Sequence, residues 1–140
     1  PKQVEWLEIS MELSSNAPMY REDFKSDIYV GLGEHELGVW TSPGDYGARR
    51  GRFNPSWWSD TSSQYGLLKT WRVDGTGCTL DGEPLSAVTI ADLNLCAQDY
   101  LALRIGVHAD AAHVGGINLF GEQFGDFAQG IVVRVGYAKA

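Results

Sequence analysis

The sequence predicts an all-β fold, an antiparallel two-sheet sandwich of jelly-roll type with about eight strands and one long irregular loop. Three observations carry that prediction. Short β-prone runs recur along the chain with turn residues between them. In the clearest runs apolar residues alternate with a period of two, which turns one face of each strand inward. No stretch shows the 3.6-residue period of a long amphipathic helix.

The first run, Val4 to Leu13, places Leu7, Ile9, Met11 and Leu13 on one face and Glu8, Ser10 and Glu12 on the other. Ser14 to Pro18 breaks it. Asp27 to Leu32 and Glu36 to Thr41 flank Gly33-Glu34-His35, a hairpin signal in which glycine supplies the unusual backbone angle. Ser42-Pro43-Gly44-Asp45 then makes a turn. Leu67 to Val73 reads as a strand. Thr79 to Leu85 holds an Asp81-Gly82 turn, and Pro84 makes its return strand short or peripheral. Val88 to Leu95 is ambiguous, with one helical turn fitting Thr89 to Leu93. Tyr100 to Val107 alternates clearly, and His108 to Gly116 follows as a loop. Short strands are expected over Ile117 to Phe120 and Ile131 to Tyr137, with Gly121 to Gly130 between them. The stretch from Gly115 to Phe127 reads as a corner of the sandwich with its phenylalanines in the core, and Asn118 could face a pocket.

Composition bounds the function. The 140 residues suit one domain over 1–140, and 44% apolar content is ordinary for a folded protein. A net charge of −7 and a pI near 4.8 repel the phosphate backbone and anionic membrane surfaces, so direct DNA or lipid binding is not expected. No apolar run approaches the roughly 18 residues of a membrane helix. The start, Pro1 to Trp6, lacks the pattern of a signal peptide, which points to the cytoplasm. It also lacks a methionine, as expected of a piece cut from a longer protein. Cys78 and Cys96 match no metal or redox motif; one disulfide between them is open, and reduced thiols are the preferred reading.

The region from Pro43 to Tyr65 has no period of either kind, and a structureless stretch that long is usually functional. Its candidate ligand-binding residues are Asp45, Tyr46, Arg49, Arg50, Asn54, Trp57, Trp58 and Gln64. Aromatic faces beside amides, carboxylates and guanidinium groups suit a small polar ligand such as a sugar. The other reading is structural: the loop packs on itself and a tryptophan plugs one end of the sandwich. His35, His108 and His113 are too scattered for a metal site, even with Asp110 near the last two, and no cofactor motif is present. Glu22, Asp23, Asp27, Glu122 and Asp126 form no recognisable acid–base pair, so no enzyme is predicted.

Several of these stretches are similar to one family. Ala17-Pro18-Met19-Tyr20 through Ser26-Asp27-Ile28, Trp40 to Gly47, Arg49-Arg50-Gly51 and Asn54 to Trp58 resemble the C-terminal domain of bacterial ArsR-type winged-helix regulators. Gln64 to Trp71 and Val114 to Gly121 continue the resemblance, which covers most of the chain. It implies a role in transcription regulation, with DNA contacted only through an N-terminal winged helix absent from this chain. This domain would then sense a ligand or hold a homodimer. Metal sensing is not implied, because the cysteines that serve it in the wider family lie on the winged helix. The alternative is a carbohydrate-binding module of jelly-roll type.

Overall fold

The computed structural model describes residues 3–139. Among these are nine strands: β1 (Val4–Ser14), β2 (Ser26–Leu32), β3 (His35–Ser42), β4 (Leu67–Val73), β5 (Cys78–Leu80), β6 (Glu83–Ser86), β7 (Leu103–Gly106), β8 (Asn118–Phe120) and β9 (Val132–Tyr137). They form the all-β antiparallel sandwich that the alternation predicts. One sheet runs β6-β5-β4-β1-β8, with β9 also on β1, and the other runs β3-β2-β7.

β1 is the spine of the larger sheet. Its residues Leu7 to Leu13 pair with β4, while its other side takes β9 along Val4–Ser10 and β8 along Glu12–Ser14. Period-two alternation turns Leu7, Ile9, Met11 and Leu13 inward, where they meet Trp71 and Val73 of β4 and Ile28, Val30 and Leu32 of β2. Each aliphatic side chain buried this way contributes about 1.5–3 kcal/mol.

Element ends follow from available partners. β7 begins at Leu103 rather than Tyr100 because its neighbour β2 ends at Leu32, the residue paired with Leu103. The ambiguous stretch forms a single helical turn, α1 (Ile90–Leu93). Thr89 and Asp92 cap each other reciprocally, and left-handed Asn94 ends the helix. Cys78 is buried and Cys96 exposed, both as free thiols. Burial pushes the Cys78 thiol up to about 11. No helix among the described residues is long and apolar enough to cross a membrane.

Two expectations are corrected. Period-two alternation places Glu12 on the face opposite the core, where solvent would be expected, yet it is fully buried. The loop from Gly121 to Gly130 does not tuck its phenylalanines into the core. Phe120 is buried, but Phe124 is half-buried and Phe127 exposed. The loop instead lies over the outer face of the larger sheet, because the N–H groups of Asp126 and Phe127 bond the Glu12 carboxylate there.

Candidate functional site

The long loop is organised around Gln64, which is 1% exposed. Its Nε2 donates to the carbonyls of Ser59 (2.8 Å) and Ser62 (3.1 Å), and its Oε1 accepts from Asn54 Nδ2 at 2.8 Å. Asn54 Oδ1 accepts from the N–H of Gly125 at 2.6 Å, which ties this loop to the late one. Gly51 has to be glycine, since a Cβ there would overlap the Gln64 carbonyl.

The arginines also end on partners within the protein. Arg49 grips Asp126 through both guanidinium nitrogens, at 3.0 and 2.5 Å, and lies 3.8 Å from the ring centroid of Tyr65. Arg50 donates to the carbonyls of Trp58 and Pro55 and to Asp60. Asp45 is fully buried, accepts from the N–H of Ala17 at 2.9 Å and lies 3.4 Å from Asn118 Nδ2. Tyr46 stacks on Tyr65 with centroids 5.2 Å apart, and burial raises the pKa of its hydroxyl.

Glu12 fastens the late loop to the sheet. Its carboxylate accepts from the N–H groups of Gly66 (2.8 Å), Asp126 (2.9 Å) and Phe127 (3.1 Å). Burial raises its pKa, and these three donors oppose that rise. Gly125, at φ +81°, lets the backbone pass against this carboxylate where a side chain would collide. Asp126 sits below its usual pKa because Arg49 bonds it.

Between these fixed loops lies a groove of about 580 Å³, within the size range of small-molecule sites. Trp58 forms one wall. Its Nε1 donates to the Ser63 carbonyl at 2.8 Å, and Phe124 meets its ring edge-on with centroids 5.0 Å apart. Pro18, Met19 and Leu119 contribute apolar surface. Asn118 supplies polarity, its Nδ2 bonding Ser63 Oγ at 2.7 Å and the Ser15 carbonyl at 2.9 Å. None of the described residues lining the groove is charged. At its lip, Met19 and Tyr20 both hold left-handed backbone angles, at φ 54° and 46°. Non-glycine residues adopt this conformation at a cost of about 1–2 kcal/mol each.

Of the eight candidates from the sequence, Trp58 alone lines the groove. Asp45, Arg49, Arg50, Asn54 and Gln64 hold the surrounding loops, Tyr46 stacks on Tyr65, and Trp57 is 73% exposed beside it. Asn118, flagged as a pocket residue, does line it. Sequence reasoning missed Pro18, Met19, Ser63 and Phe124, although Phe124 carried a signal as an aromatic residue between glycines.

The remaining polar clusters are dispersed. His108 pairs with Glu36 and stacks on Tyr29, while His113 pairs with Asp27 at 3.3 Å. Glu22 accepts from the N–H groups of Gly47 and Ala48, and Asp23 pairs with Arg21. Among the described residues no group of three or more His, Cys, Asp or Glu is placed to hold a metal ion. No family model matches the chain, and no curated protein or solved structure is significantly similar to it.

Proposed function

We propose that this chain is a ligand-sensing domain whose ligand occupies the groove between Trp58, Phe124 and Asn118, and that it serves a bacterial transcriptional regulator. The observation that carries the binding reading is the groove itself, a space with apolar walls and an uncharged polar lining that includes Asn16, Thr61, Ser63 and Asn118, between loops held by bonds such as Asn54 to Gln64. The regulatory role rests on the resemblance of the 17–28, 40–58, 64–71 and 114–121 stretches to ArsR-type C-terminal domains.

The lining defines the ligand's chemistry. With no charge at the wall and the arginines held elsewhere, an anion such as a sugar phosphate or organic acid would lose its water without gaining a counter-charge. The ligand is therefore a neutral molecule with an apolar body and a hydrogen-bonding end that meets the uncharged polar lining. Its binding tightens the strained 17–20 turn and shifts the balance between two states of the full regulator.

A thermal-shift screen of neutral amphipathic compounds, sugars and organic acids tests this. A ligand at 100 times its Kd stabilises a fold by about 2.7 kcal/mol. The expected hit is neutral and is lost in Trp58→Ala but kept in Trp57→Ala. A glycan hit lost in Trp57→Ala would favour the carbohydrate-binding module, and the absence of any hit would argue against sensing.

A further inference from the structure

The larger sheet is wider than the sheet covering it, and β9 forms the uncovered margin. Among the described residues β9 pairs only with β1, and β7 only with β2, so each sheet ends in an open edge. Val133 lies beside Ile9 and Val135 beside Leu7, which places both valines on the core-forming face. Yet they are 52% and 37% exposed, against 1% and 5% for Ile9 and Leu7. β3 meets β6 at the far side of the sandwich, so three strands do not reach across to β9.

Natural edge strands are usually blunted by inward charges, proline or extreme shortness. β9 has six residues, no proline, and a single charge, Arg134, on the opposite face 3.7 Å from Glu8. Residues 131–137 contain no acidic side chain, although the chain carries a net charge of −7. This is a place where two copies can approach without bringing like charges together.

We propose that this margin is the interface between two copies of the chain. A broad sheet running past a narrow one makes a step, and a step is self-complementary under a twofold axis. With that axis parallel to the strands, the two β9 strands stack valine face to valine face. The open edge of each β9 then meets the open edge of the other copy's β7. Both apolar overhangs and both open edges close in one contact, which a single foreign strand would not achieve. The interface is separate from the groove, which lies at the Ser14 end of β1 while β9 runs along Val4–Ser10.

Sedimentation velocity of the full chain over a range of concentrations tests this. The expected result is a dimer that added salt strengthens, because salt screens the repulsion between acidic copies and leaves an apolar contact intact. The double variant Val133→Lys, Val135→Lys should sediment as a monomer with a native circular dichroism spectrum. Should that variant misfold, hydrogen exchange on the unmodified chain decides. Amides of β7 and β9 should gain protection as concentration rises, while those of β3, at the opposite edge of the smaller sheet, should not. A monomer at every concentration, a dimer indifferent to the two lysines, or exchange at β7 and β9 independent of concentration would overturn the proposal.

Discussion

In the 49–64 stretch the side chains best suited to grip a ligand grip the protein. Arg49 holds Asp126, Arg50 holds Asp60 and two carbonyls, and Asn54 and Gln64 bond each other and the backbone around them. In the neighbouring groove the balance is reversed. Trp58, Phe124, Pro18 and Met19 present apolar surface, and the polar lining from Asn16, Thr61, Ser62, Ser63 and Asn118 is uncharged. A long loop without secondary structure must satisfy its own backbone groups, and its amides and charges do so here. What remains for a ligand is the apolar remainder. Richness in polar residues therefore marks the frame of the groove, and the apolar surface lies beside it.

The comparison breaks most severely at Glu12. Glu12→Ala should leave the buried N–H of Gly66 and the partly buried N–H groups of Asp126 and Phe127 without their acceptor, a loss of about 3 kcal/mol. Urea denaturation would measure it, and a loss below about 1 kcal/mol would show the late loop to be held by other means. Next comes Gln64→Ala, expected to cost about 2–3 kcal/mol by freeing partners on both sides of the loop. It should also speed amide exchange across residues 51–64.

The groove side is sharpened by two neighbouring tryptophans. Trp58→Ala should lower ligand affinity more than about tenfold, the scale of one well-packed aromatic contact. Trp57→Ala, at an exposed position, should change stability by less than about 0.5 kcal/mol and leave affinity intact. Calorimetric titration of both variants with the same ligand separates them. Equal losses would merge wall and surface into one site.

The smallest effect belongs to Arg49. Its guanidinium is about half exposed, so Arg49→Ala should cost about 1 kcal/mol or less and leave ligand affinity unchanged. It should also alter acid sensitivity. The Asp126 carboxyl lies below its ordinary value of 3.8, chiefly through its bond to Arg49. Its stabilising contribution is therefore present above that pH and lost as pH falls through the lowered value. Removing Arg49 should raise the Asp126 pKa in an NMR titration and flatten that part of the acid unfolding curve. An unmoved Asp126 would mean that its backbone donors, not Arg49, set its charge.

Much of the frame was legible before any coordinates. The alternation of Leu7, Ile9, Met11 and Leu13 placed one face of β1 in the core, and the Asp81-Gly82 turn placed the β5–β6 hairpin. The 43–65 stretch reads as the unusual region, and its residues Trp58 and Thr61 to Ser63 line part of the groove. Which of its residues face the groove was not legible, because arginines beside aromatics have the same composition whether they await a ligand or clamp a loop. A pocket-facing Asn118 is the secondary reading of its glycine-rich stretch, and the groove lining includes it, whereas Pro18 and Met19 lie in what reads as a plain strand break.

By itself the sequence determined the fold class, the inward faces of the main strands and the net acidity of the chain. Those properties are local or additive: side-chain period, turn chemistry and net charge do not depend on which strand lies beside which. Only the tertiary structure decided that Glu12 is buried, that Arg49 is occupied and that Val133 is left bare. Glu12 meets Asp126 across 114 positions and Arg49 meets it across 77. Val133 is exposed because the opposite sheet is too narrow to cover it. Contacts at such separations are set by how the sheets close on one another, and no window of neighbouring residues contains that information.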